Sequence, residues 1–231
     1  MLDITPTEWT AILLSLRVAA VATLVATPIG IALAWLLARR DFWGKSLLDA
    51  LVHLPLVLPP VVTGYLLLLA FGRKGPLGAL LADYLGIVFA FRWTGAALAC
   101  GVMSFPLLVR PIRLSIEAVD RRLEQAAETL GAAPWRVFAT VTLPLSLPGV
   151  LAGMVLGFAK AIGEFGATIT FVSNIPGETQ TISSAIYSLI QTPEGDTAAL
   201  RLVIVSIVIA VTALIGAEWF ARRATRRLHG N

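Results

Sequence analysis

Long apolar runs alternate with short polar stretches along this chain. Val18 to Ala38 carries no charge and is long enough to cross a bilayer core as a helix. Trp9 and Trp35 flank this run at interface-like positions, and Arg17 can snorkel from its outer end. The next run, Leu54 to Gly72, holds Pro55, Pro59, Pro60 and Gly64, which a straight helix avoids. It reads as a pathway-lining helix with Pro59, Pro60 and Thr63 on it, as a kinked packing helix, or as a helix that starts after Pro60. Arg73 to Arg92 reads as a loop with Pro76-Leu77 and an apolar Ile87–Phe91 stretch too short to span, so that 77–91 is expected to form an interfacial or re-entrant helix. A third span is expected from Trp93 to Ile116, a fourth from Leu147 to Val172 and a fifth from Leu202 to Trp219. A short helix is expected over Ile182–Ile190.

Composition agrees with an all-α integral membrane protein of about five spans in a single domain, 1–231. Of 231 residues, 57% are hydrophobic and only 14% charged, where a soluble domain carries about 25% charged residues. The first run lacks a basic leader, so it reads as a retained span. The net charge of +4 is not a nucleic-acid signal, because the basic residues cluster at span ends. Arg39, Arg40, Lys45, the group from Arg110 to Arg136 and the tail Arg222–Arg227 make twelve on one side, against Arg73, Lys74, Arg92 and Arg201 on the other. This asymmetry places the N-terminus outside and the C-terminus in the cytoplasm. The basic tail reads as an orientation signal and lipid-headgroup anchor.

Between the third and fourth spans, about 117–146, lies the longest polar interruption. Val119, Leu123, Ala126, Ala127 and Leu130 recur at helical spacing, Asp120 suits an N-cap and Gly131 a C-terminal stop. Pro134 suits the first turn of a second short helix, with Val137, Phe138 and Val141 on its apolar side. Such a segment lies on a membrane surface or docks in a groove of a partner. In the fourth span Gly149, Gly153 and Gly157 form a stripe that admits another helix closely. Lys160 and Glu164 are spaced to pair on one helix face, with Thr168 a turn further on. Ionisable groups at membrane depth mark a pathway or a structural ion pair.

The polar stretch resembles the EAA loop of ABC-importer permeases: Glu-Ala-Ala, three residues, Gly, nine residues, Ile-x-Leu-Pro. Ala126, Ala127, Gly131 and Val141-Thr142-Leu143-Pro144 fall on that pattern. Gln125 stands at the glutamate position, with Glu124 one place before it. The segments His53–Tyr65, Met103–Pro106, Gly163–Thr168 and Ser173–Thr179 are similar to the molybdate permeases of that group, and the Gly-Glu-Phe-Gly segment is shared with sulfate and thiosulfate permeases. The resemblance implies that Glu124, Gln125, Ala126, Ala127, Gly131, Leu143 and Pro144 couple the chain to an ATPase. It implies two copies of the chain, two copies of a cytoplasmic ATP-binding subunit and a periplasmic molybdate-binding protein, in a bacterial inner membrane.

The chain itself carries no nucleotide or metal motif. Gly44-Lys45-Ser46 ends like a phosphate-binding loop, but Arg39 stands where the first glycine belongs. His53 has no second ligand at useful spacing, and Cys100 is the only cysteine. No catalytic residue, metal or cofactor is expected. The competing class is a stand-alone secondary transporter, but no inverted repeat is visible.

Overall fold

The computed structural model describes residues 4–228, with side chains to residue 216, and no strand occurs among the described residues. Helix α1, Pro6–Arg39, starts well before its uncharged run. Thr5 and Glu8 form a capping box, in which Thr5 N donates to Glu8 Oε2 at 2.7 Å and Glu8 N to Thr5 Oγ1 at 3.3 Å. Pro6 at the first helical position removes one orphan donor.

The second span breaks in two. Helices α2, Lys45–Val57, and α3, Pro60–Phe71, meet at 116°. Pro59 pushes Leu58 out of the helical region, to φ −72° and ψ 143°, and Pro60 opens α3. Helix α4, Pro76–Leu85, occupies the expected loop, bounded by Gly75-Pro76 and by Gly86 at φ +66°. The helix expected over 77–91 is therefore shorter than that range: Ile87–Phe91 is irregular, because Gly86 has already ended the helix before it.

Helix α5, Trp93–Glu117, matches the third span. The polar interruption forms α6, Arg121–Thr129, and α7, Pro134–Val137, followed by a π-helical turn at Phe138–Thr142 that leads into α8, Leu143–Ile162. The fourth span does not run to Val172 as one helix. It stops at Gly163, and α9, Gly166–Val172, resumes after the break. Helix α10, Ile182–Leu189, is the expected short helix, and α11, Asp196–Leu228, begins earlier than the expected last span. The basic tail lies on helical backbone, but its side chains fall outside the described ones. Among the described residues four helices are long and apolar enough to cross a membrane, and the bent α2–α3 pair is a fifth where it counts as one span.

Helix α5 is the centre of the bundle, with α1 and α8 against it. The glycine stripe of α8 makes its contact possible. A Cβ at Gly149 would lie 2.6 Å from Pro111 O, and one at Gly153 would lie 2.5 Å from Leu108 O. Small residues close the other side: Ala19, Ala96, Ala99 and Cys100 are fully buried among α1, α5 and α9. A smaller core joins the start of α1 to α10 and α11 through Ala11, Ile12, Ile182, Ala185 and Leu202. There Arg201 donates to Glu8 at 2.8 Å, and Ser15 Oγ accepts from Ile182 N at 2.7 Å. On α2, Asp49 accepts from Arg113 of α5 at 2.7 Å. Arg17 stacks on Trp93, 3.8 Å from the ring centre, rather than standing free.

Candidate functional site

The helix of the polar interruption is built by its two ends. Asp120 caps α6 by accepting from Arg122 N at 2.9 Å. At the other end Gly131 takes φ +84°. Its N–H donates to Glu128 O at 2.9 Å, while Ala132 N donates to Ala127 O at 3.1 Å, the paired bonds of a Schellman stop. Pro134 then opens α7, and Val137 is buried as its apolar anchor.

No residue of α6 is buried. Of the five apolar positions expected to share a face, only Val119, just before the helix, is buried; Leu123 is 51% exposed and Leu130 89%. Leu123, Ala126 and Leu130 thus look outward, and Gln125 and Gly131 are exposed with them, while Ala127 is half-buried. Glu124 turns the other way. Its carboxylate lies 3.1 Å from Arg39 Nε and accepts from Thr142 Oγ1 at 2.6 Å. Arg39 also donates to Val119 O at 3.1 Å. A polar cleft of about 270 Å³ opens beside this cluster, lined by Trp35, Arg40, Arg121, Glu128 and Phe138 among others. Trp35 itself packs edge-on against Phe138 at 5.9 Å. Leu143 and Pro144 stand apart from the outward face, half-buried at the foot of α8.

The second set of residues converges where α3 packs on α9. A Cβ on Gly166 would lie 2.8 Å from Pro60 Cβ, and one on Gly64 would lie 2.5 Å from Ala167 O. Thr63 is buried there with its hydroxyl unpaired, and Thr168 is buried with its hydroxyl donating to Phe165 O at 2.9 Å. Pro59, exposed, forms the corner before α3. Glu164, 1% exposed, sits in the break between α8 and α9. One of its oxygens accepts from Lys160 Nζ at 2.6 Å and the other from Ala167 N at 3.0 Å. This carboxylate is satisfied on both sides, as a buried charge must be. The Lys160 side chain remains 30% exposed.

Two partners escaped the sequence. Arg39 is 85 positions from Glu124 and reads there only as a span-end charge. Thr142 occupies the variable position of its motif, and nothing in the spacing marks it.

The profile of binding-protein-dependent transport system inner membrane components matches residues 26–226. The chain belongs to this family. It is 61% identical to the molybdenum transport system permease protein of Escherichia coli (strain K12), over 97% of this chain and 98% of that one. It is 58% identical to the protein of the same name from Haemophilus influenzae, over 96% of both. A probable sulfate transport system permease protein of Chlorella vulgaris is 36% identical over 80% of this chain and 70% of its own length. Among solved structures, a bacterial ABC transporter that imports alginate matches with a TM-score of 0.74, covering 95% of this permease and 80% of that chain at 18% identity. The fold is therefore that of ABC-importer permeases.

Proposed function

We propose that this permease carries molybdate, or its chemical twin tungstate, across a bacterial cytoplasmic membrane. Two copies pair with two cytoplasmic ATP-binding subunits, and a periplasmic molybdate-binding protein delivers the anion. The observation that carries the reading is 61% identity, across nearly the whole chain, to a permease named for molybdenum transport. Identity to the sulfate relative is far lower, 36%. The charge asymmetry supports an outer N-terminus and a cytoplasmic C-terminus, which sets α6 on the ATPase side.

On this reading the outward face of α6, with Gln125, Ala126 and Gly131, meets the ATPase, and Leu123 and Leu130 supply the apolar contact that exposed leucines otherwise lack. Glu124, Ala127, Leu143 and Pro144 hold that face to the spans. ATP-driven closure moves the pair of docking segments, and the spans alternate between outward and inward openings. Pro59, Pro60, Thr63, Lys160, Glu164 and Thr168 line the pathway near the α3–α9 contact. An oxyanion there needs donors as it leaves water. Lys160 and the unpaired Thr63 hydroxyl provide them, while Glu164 offsets the lysine charge and keeps binding weak enough for release. The exposed apolar rows Val61, Tyr65 and Leu66 on α3 and Ile204, Ile207 and Val211 on α11 suit lipid or the second copy.

The test is ATP hydrolysis by the reconstituted complex. The molybdate-loaded binding protein should stimulate it more than the sulfate-loaded form. Equal or reversed stimulation assigns the complex to sulfate instead.

A further inference from the structure

Three elements meet on one carboxylate. Arg39 ends α1, Glu124 lies in α6, and Thr142 closes the π-helical turn at the foot of α8. The Arg39 and Glu124 side chains are 9% and 14% exposed, and Thr142 is 1% exposed. Because α6 buries none of its own residues, side-chain packing does little to set its orientation against the spans. What remains is the backbone at its two ends and this cluster. Arg39 adds a second hold through Val119 O, at the junction of α5 and α6.

We infer that Glu124 is a positioning residue: with Arg39 and Thr142 it clamps the docking helix to the first and fourth spans, so that movement of the helix reaches both spans together. The inference rests on the reading of α6 as the ATPase-docking helix. It separates two neighbouring residues by role. Gln125 is exposed and free to meet a partner, whereas Glu124 faces inward with both oxygens engaged. A partly buried pair broken on one side leaves an uncompensated charge, so each half of the clamp should matter. The arginine matters as an arginine, because Nε and Nη2 reach two different acceptors at once, which a lysine does not reproduce.

The experiment uses the full complex in proteoliposomes with molybdate-loaded binding protein. It measures retention of the ATPase subunit, ATP hydrolysis and molybdate uptake for Glu124→Gln, Arg39→Lys and Thr142→Val. The expected result is an ATPase subunit retained in full, with molybdate carried per ATP hydrolysed reduced about tenfold. Thr142→Val should fall short of the other two, since it removes only one hydroxyl. Loss of the ATPase subunit from Glu124→Gln would make Glu124 a contact residue and overturn the clamp. Unaltered uptake per ATP in all three variants would overturn it too. If Glu124→Gln does not insert, Arg39→Lys and Thr142→Val decide alone: reduced uptake per ATP in both supports the clamp, and any other result overturns it. The unaltered chain is run alongside. If it retains no ATPase subunit, the docking reading fails and the clamp falls with it; if it does and the variants match it, only the clamp fails.

Discussion

Gly131 sits at φ +84° with open space where a Cβ would be, so a side chain there meets no atom of this chain. The cost of replacing it is in the backbone, about 1 kcal/mol for the left-handed region, and in whatever surface lies against it. Gly131→Asp also sets a carboxylate at a helix C-terminus, which is unfavourable by about 0.3–1 kcal/mol. Ala127 is half-buried on the inner side, and Ala127→Glu crowds it. Both variants should insert normally yet lose the ATPase subunit and transport, as a pull-down with uptake measured in parallel will report. Gly131→Asn, which tolerates this backbone better, should be milder. Normal retention and uptake in both main variants would reduce the segment to a surface loop. The capping residues Asp120 and Gly131 were legible in the sequence because their signals are local. The clamp was not, since Arg39 and Glu124 come together only through the folding of three helices.

At the scale of elements, punctuation decided more than hydropathy. Of the readings open for Leu54–Gly72, the one in which the helix starts at the proline pair fits best, because two successive prolines at 59 and 60 force a corner between α2 and α3. The short helix expected over 77–91 fills the first part of that stretch, Pro76–Leu85, where proline and glycine mark its ends. The fourth span was legible in position but not in its break at Gly163–Phe165, where Glu164 takes both Lys160 and the first turn of α9. The glycine stripe was read correctly as a packing surface. At Gly153 the nearest atom is a backbone oxygen of α5, Leu108 O, which yields less than a side chain would. Gly153→Leu should therefore cost more than the roughly 1–3 kcal/mol of ordinary overpacking and lower the thermal stability of the detergent-solubilised chain. Gly157→Ala should be tolerated, since its Cβ would meet Leu108 at 3.4 Å. A Gly153→Leu variant that melts like the unaltered chain would remove the stripe from the account of the core.

For the whole molecule, the proposed orientation follows from charge and is open to labelling. A cysteine near Gly75 should react with an impermeant maleimide from outside intact spheroplasts, and one near Ala132 should react only after lysis. The reverse pattern would put α6 on the wrong face for an ATPase. The positions and order of the long apolar helices were readable from the sequence, four of them unbroken and the second a bent pair, because bilayer thickness sets a length that few other constraints share. How the spans nest was not, because nearly every face is apolar. The π-helical turn at Phe138–Thr142 has a consequence for how such a chain can vary. It carries one residue more than an α turn would, and it lies between the α6–α7 segment and the rod of α8. Losing a single codon there would wind the turn down to α and leave the helices on either side close to their present phase, because the π turn and the α turn that replaces it each make about one revolution, whereas the same loss inside α8 would turn one part of the rod against the other by about 100°. The gene can thus change in length by one residue at this turn with less disturbance than anywhere inside the regular helix that follows.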